Sequence, residues 1–220
     1  MLLSVKNLSI AYGNKTVVRN INFELQRGEI LAIVGRSGCG KSSVLKSING
    51  LLNRNAHITE GNITFDGKDI TRLEQRQRRK LAGRSMSMIF QNAAASFCPI
   101  RTIGDQIFEA VRSHADWSKQ TFIDRAVEIM SKINLDPRVL DEYPFRLSGG
   151  MAQRAGILAA IILQPTLLLA DEPTGALDTI TQVSVVKELL ELRRREGIAM
   201  VIVTHNPGVA KFIADRVLKM

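Results

Sequence analysis

Three short apolar runs, Ile30–Val34, Leu167–Ala170 and Ala199–Val203, stand out along the chain, and Ser85–Phe90 is strand-like as well. Their brevity and their lack of polar alternation are what parallel strands buried on both faces show. Between them the period changes. A helix is predicted from Lys41 to about Asn49, and an apolar-rich one opens at Leu147 and runs to about Leu163. Phe122, Ile123, Ala126, Val127, Ile129, Met130 and Ile133 recur on one broad helical face that ends in the turn chemistry of Asn134–Pro137. Thr71–Gly83 fits a solvated helix with Leu73 and Leu81 turned inward. Strand-like and helix-like segments alternate over residues 1–90 and 160–220, which predicts one α/β core interrupted by a helix-rich insertion at about 92–158.

The chemistry-bearing residues lie where these strands end. After Ile30–Val34 comes Gly35-Arg36-Ser37-Gly38-Cys39-Gly40-Lys41-Ser42, a glycine, four residues, then Gly-Lys-Ser. Its glycines let backbone N–H groups turn inward around phosphate oxygens. Lys41 supplies a charge for the β- and γ-phosphates, and Ser42 a hydroxyl for Mg²⁺ at the positive end of the following helix. Leu167–Ala170 delivers Asp171 and Glu172, suited to holding hydrated Mg²⁺ and to polarising a water for attack on the γ-phosphate. His205 follows the last apolar run and Thr204, at the same predicted sheet edge, and is placed for a γ-phosphate contact; His57 and His114 lack such company. The implied ligand is ATP.

Leu147-Ser148-Gly149-Gly150-Met151 opens the other apolar-rich helix, with Ser148 as its cap and two glycines keeping the backbone approachable. This is a second phosphate-binding helix end. Either the two ends converge within one monomer, or each serves a nucleotide bound mainly by another chain.

Composition narrows the setting. With 220 residues and 45% hydrophobic content the chain can bury a substantial core. Its apolar stretches stop far short of the roughly eighteen residues of a membrane-spanning helix, and Met1-Leu2-Leu3 enters a strand without a signal-peptide pattern. A chain soluble by itself is expected. Cys39 and Cys98 are its two cysteines, which gives no disulfide framework or metal-ligand spacing and points to a reducing cytoplasm. The net charge of +9, with Arg76, Arg78, Arg79, Lys80 and Arg84 in one stretch, invites a nucleic-acid reading. No aromatic residues interleave with those cations, so a charged helix face is the better reading and no nucleic acid is expected.

In order and over nearly its whole length, the chain resembles the nucleotide-binding subunits of ATP-binding cassette (ABC) transporters. Residues 35–42 resemble Walker A, 147–151 the signature, 167–172 Walker B, and Ala176-Leu177-Asp178 the D-loop. A finer resemblance, to the ATPases of oligopeptide, dipeptide and nickel importers, rests on Phe90-Gln91-Asn92, Phe97-Cys98-Pro99, Thr102–Gln106, Tyr143-Pro144-Phe145 and Thr179–Gln182. Met151, in place of the commoner signature glutamine, is frequent in that group.

The resemblance implies a P-loop NTPase core of ABC type, at 1–91 and 159–220, with an N-terminal antiparallel β subdomain and an inserted α-helical subdomain at 92–158 that ends in the signature. It implies that Glu172, His205, Gln91 and Lys41 serve catalysis, and that Ser42, Gln91 and Asp171 arrange Mg²⁺. ATP contacts are implied for Tyr12, stacking on adenine, for Gly35, Arg36, Ser37, Gly38, Cys39, Gly40, Lys41, Ser42 and Ser43, and for Ser148, Gly149, Gly150 and Asp178 from a facing subunit. The implied partners are a second ABC ATPase subunit, identical or related, two integral permease subunits and, indirectly, an extracytoplasmic substrate-binding protein. The expected place is the cytoplasmic face of the cell membrane, peripherally bound, powering import of peptides or nickel-type metal chelates. The same motifs would serve a soluble ATP-gated clamp on nucleic acid or a protein assembly, but the single cassette and the lack of long heptads weigh against it.

Overall fold

Strand alternation divides the molecule into two cores on either side of one parallel sheet. The computed structural model describes residues 1–175 and 177–220, so that Ala176 of the expected D-loop lies outside the described residues. Its chain opens with a hairpin, β1 (Leu3–Tyr12) and β2 (Lys15–Leu25), then β3 (Ile30–Val34), α1 (Lys41–Asn49), β4 (Ala56–Phe65) and the short β5 (Lys68–Asp69). Next come α2 (Gln75–Leu81), β6 (Met86–Ile89), α3 (Ile103–Arg112), α4 (Lys119–Lys132) and α5 (Gly149–Ile161). The remainder is β7 (Leu167–Asp171), α6 (Thr179–Glu196), β8 (Ala199–Thr204), α7 (Pro207–Ile213) and β9 (Arg216–Lys219).

The strands form two sheets, an antiparallel one in the order β2-β1-β4-β5 and a parallel one in the order β6-β7-β8-β3-β9. Successive side chains of a strand face opposite ways. Leu31, Ile33, Leu167, Leu169, Val201 and Val203 therefore pack toward α1 and the antiparallel sheet. Ile30, Leu168, Ala170, Met200 and Ile202 pack toward the helical side with α3 to α7. Burial on both faces explains the unbroken apolar runs.

Caps fix where the helices begin. The Thr102, Ser118 and Ser148 hydroxyls accept the N–H of Asp105, Thr121 and Met151, at the heads of α3, α4 and α5. Along α4, Phe122, Ala126, Ile129 and Met130 are buried as the period predicts, but Val127, one residue off that stripe, is 38% exposed. Helix α2 is shorter than the 71–83 span expected. The Thr71 hydroxyl accepts the N–H of Ile63, and the Thr71 N–H donates to the Asp69 carboxylate, which holds that residue in a turn; the helix starts only after Glu74 and Gln77 form a capping box. Leu73 and Leu81 still pack against the core.

Polar ties join α4 and α5 to α6. Lys132 Nζ lies 2.7 Å from Glu196 and 2.9 Å from Glu128, and hydrogen bonds from Lys132 and Arg125 hold the Glu128 carboxyl down to about 2. Deeper inside, Arg154 of α5 donates through Nε and Nη2 to one oxygen of Glu188 on α6, which also accepts from Ser184. The other oxygen, Glu188 Oε2, is buried without a donor.

Removing the cation alone should leave a buried carboxyl group without its partner. Arg154→Met is expected to destabilise the fold by about 3 kcal/mol, and the double variant Arg154→Met/Glu188→Leu to recover most of that. Denaturant midpoints of the three proteins check it.

Candidate functional site

Four strands of the parallel sheet release their chains at the same edge, and the candidate residues stand there. β3 leads into the loop 35–40, β6 into Gln91, β7 into Asp171 and Glu172, and β8 into His205. An open cleft of about 700 Å³ is lined by Ser37, Gly38, Gly40, Lys41, Ser42 and Ser43 on one side and by Gln91, Glu172 and His205 on the other. Tyr12 and Val17, from the tip of the β1–β2 hairpin, close its end.

The loop is shaped around Lys41. Gly40 sits at φ +100°, and a Cβ there would lie 2.5 Å from Val18, so no side chain fits that turn. The Lys41 side chain folds back inside it. Its Nζ donates to the carbonyl oxygens of Gly35 and Arg36, both at 2.9 Å, with Cys39 Sγ at 4.0 Å. Lys41 is only 6% exposed, yet no carboxylate lies within ion-pair distance of it among the described residues. A buried cation facing neutral oxygens is set up for an anion.

The carboxylates are arranged differently from one another. Asp171 is buried at the end of β7, and its Oδ1 accepts the Ser42 hydroxyl at 2.8 Å. Hydroxyl and carboxylate oxygens in contact suit a hard divalent cation such as Mg²⁺, which binds through few protein ligands and completes its shell with phosphate and water. No group of three His, Cys, Asp or Glu side chains among the described residues could hold a metal unaided. Glu172 stands just past the strand at φ +48°, a left-handed conformation costing roughly 1 kcal/mol for a residue with a side chain. Its N–H donates to Val203 O at 2.9 Å, which ties that conformation to β8. Glu172 Oε2 is 2.9 Å from His205 Nδ1, and it is a buried acceptor to which no donor makes a hydrogen bond of good geometry.

Other expected residues take local roles. Tyr12 bonds through its hydroxyl to Ser43 Oγ at 3.0 Å, which fixes the ring at the cleft mouth. Asn206, next to His205, accepts the N–H groups of Gly208 and Val209 and starts α7. Ser148, Gly149, Gly150 and Asp178 do not line the cleft. They meet one another elsewhere: a Cβ on Gly150 would lie 3.0 Å from Thr181, beside the head of α6. There Asp178 accepts from Ile180 and Thr181, and the hydrogen bonds from Thr181 hold its carboxyl below the usual range. The head of α1 and the head of α5 therefore do not converge on one cleft within the monomer. The sequence reading missed Val17, which with Val18 backs the Gly40 turn, and the Arg154–Glu188 tie behind Gly150. Nothing in the spacing distinguishes Val17 from other strand valines, whereas an Arg in an apolar-rich helix was a visible signal.

Residues 18–175 match the family model described as ABC transporter. The chain is 41% identical over its whole length to the metal-staphylopine import system ATP-binding protein CntD of Staphylococcus aureus strain Mu50, covering 82% of that protein. It is 40% identical to the dipeptide transport ATP-binding protein DppD of Bacillus subtilis and covers 68% of it. Among solved structures, the dimeric form of a bacterial ABC transporter cassette matches the whole chain at 28% identity with a TM-score of 0.86, covering 94% of that cassette. A dimeric post-hydrolysis state of the same cassette, bound to ADP and Pi, matches with a TM-score of 0.87.

The half-buried Cys39 thiol lies inside loop 35–40, 4.0 Å from Lys41 Nζ. In a Cys98→Ser background, complete alkylation of Cys39 is expected to weaken nucleotide binding by roughly tenfold or more, the loss of about one charge-assisted contact. Titration with a fluorescent ATP analogue before and after modification checks it.

Proposed function

The chain belongs to the ATP-binding subunits of ABC transporters, and from that premise we propose that it hydrolyses Mg·ATP between two facing subunits to drive import of peptides or metal chelates. Its fold is the P-loop ABC ATPase fold, with an N-terminal β subdomain and a helical subdomain. The observation that carries the proposal is the buried Lys41 ammonium, ringed by carbonyl oxygens, opposite a Glu172 oxygen without a donor. An anion on one side and a water on the other would complete both.

In this reading the loop amides and Lys41 bind the β- and γ-phosphates and stabilise the charge that builds on the γ-phosphoryl group. Ser42 and Asp171, with the Gln91 side chain, would hold Mg²⁺, which when bound neutralises charge on the phosphate oxygens. Glu172 orients the attacking water through Oε2 and accepts its proton. His205, 63% exposed beside it, holds the γ-phosphate side of the cleft. Tyr12 and Val17 offer the adenine a flat apolar wall.

The second phosphate-binding end finds its use in a dimer. Ser148 and Gly150 lie away from their own cleft, so a head-to-tail partner would bring its copies over the ATP held by Lys41, with Asp178 beside them. Two cassette structures of the same fold are dimeric, which supports pairing of two subunits. No helix among the described residues is long and apolar enough to cross a membrane. In this reading contact with a membrane would come through permease subunits, with the chain a peripheral protein on the cytoplasmic face.

Those subunits would dock on exposed apolar side chains of the helical part. Ile100 is 81% exposed and Phe145 71% exposed, the Tyr143 and Phe145 rings stack at 5.6 Å, and the Ile103 N–H bonds to Glu142 O, which ties the two segments together. Exposed large side chains gathered in this way mark an interaction surface. Cargo of the peptide or metal-chelate class is supported by the relatives' names alone.

Glu172→Gln should lower ATP turnover by roughly a hundredfold or more while retaining ATP affinity, and ATP should then accumulate dimers visible by size-exclusion chromatography. Normal turnover by that variant would remove Glu172 from its role. Ile100→Ser/Phe145→Ser should keep ATP affinity but reduce co-purification with permease subunits from membranes. Unchanged recovery of permease would move the docking surface elsewhere.

A further inference from the structure

We infer that the cleft between α2 and the end of α3 is a binding site for a phosphate-bearing anion, separate from the nucleotide cleft. The sequence supplies the charge. Arg76, Arg78, Arg79, Lys80 and Arg84 fall in a stretch with no Asp or Glu between Glu74 and Asp105. The fold then sorts these cations. Arg78 turns inward, and its Nη2 donates to the carbonyl oxygens of Ile70 and Thr71 at 2.8 and 3.0 Å. Arg79, Lys80 and Arg84 instead line a cleft of about 730 Å³, completed by Ser113 and His114.

None of these three cations has an ion pair or side-chain hydrogen bond among the described residues. The dipole of α2 accounts for Arg79 and Lys80 in its last turn, but not for Arg84 or His114, which lie beyond it. The His114 ring is seated by the turn beneath it. Gly83 has φ +77°, and a Cβ there would come within 3.0 Å of His114 Nε2, so glycine is what lets the ring lie close.

The lining selects the ligand class. Two guanidinium or ammonium groups from α2, a third cation from the β6 approach, an imidazole and a hydroxyl are all donors when the imidazole is protonated, and together they can meet several oxygens of one tetrahedral anion. No carboxylate lines the cleft to accept a cationic ligand, and Asp116, two residues past His114, is not part of it. No Phe, Tyr or Trp ring lines the cleft to stack a base. A phosphate group fits this donor set whether it is free or carried on a lipid headgroup. A bound anion would bridge α2 and the approach to β6 with the end of α3, and so join the sheet to the helical layer.

Histidine NMR on the full chain tests this site apart from the nucleotide cleft, since His114 reports on one and His205 on the other. Inorganic phosphate at constant pH is one probe; vesicles of phosphatidylcholine with and without phosphatidylglycerol are the other. Saturable movement of the His114 resonance by free phosphate identifies a soluble anion, and co-sedimentation with the phosphatidylglycerol vesicles alone identifies a headgroup. In either arm binding should persist in Lys41→Ala and weaken roughly tenfold or more in Arg79→Ala/Lys80→Ala/Arg84→Ala. Retained ATP binding shows that the triple variant is folded. The inference is overturned if neither probe engages the parent protein, or if the triple variant binds as tightly as the parent.

Discussion

Everything at the candidate site depends on the lateral register of four parallel strands, β6, β7, β8 and β3, buried on both faces. Backbone hydrogen bonding in register brings Val34 beside Thr204 and Asp171 beside Val203. The residues that follow are thereby held at one edge, although they come from sequence positions far apart. Two-sided burial makes this edge rigid, because no strand can slip without turning its side chains into the wrong core. That rigidity supports the local strain. Glu172 keeps its left-handed backbone because its N–H is held by Val203, in a strand with no freedom to follow it.

Much of this was legible because the same physics writes both pattern and structure. A strand covered on both sides has to be apolar throughout, so Ile30–Val34, Leu167–Ala170 and Ala199–Val203 announced themselves, and the polar residues after them could be placed at one sheet edge. Capping is equally local. Ser148 was readable as the head of α5 because a hydroxyl before two glycines has few other uses. What local pattern could not give was competition between partners. Thr71 looks like the start of a helix until the Asp69 carboxylate and the Ile63 N–H claim it. Val127 shows the same limit, since the stripe's width is set by what packs on α4, not by α4 itself. The Asp66-Gly67 turn, with both residues at positive φ, was a hairpin signal present in the letters and not used.

The placement of Ser148 and Gly150 answers a question that the sequence left open between two alternatives. Gly150 packs against Thr181 at the head of α6, and the Arg154–Glu188 tie holds the two helices together just behind it. The signature turn is thus built as one unit with Asp178, on a face that the nucleotide cleft of the same chain does not share. In the proposed dimer, a facing copy or relative of the chain would bring its nucleotide to this unit.

Lys41 and Arg154, two largely enclosed cations, show why one part of the molecule is structural and the other waits for a ligand. Arg154 meets a carboxyl group within its own core, so its charge is balanced whenever the chain is folded. Lys41 is the more deeply buried of the two but meets only carbonyl oxygens, which compensate its lost hydration in part. The remaining deficit is what a polyphosphate relieves, and relief that exists only with the ligand bound is binding energy. Glu172 is the complementary case, an acceptor kept without a donor within reach of the same cleft. A site that leaves one cation and one acceptor unsatisfied, on opposite sides of a space and on a sheet too rigid to collapse onto them, favours the species that satisfies both at once. In the proposed reading that species would be a phosphoryl group with a water lined up behind it.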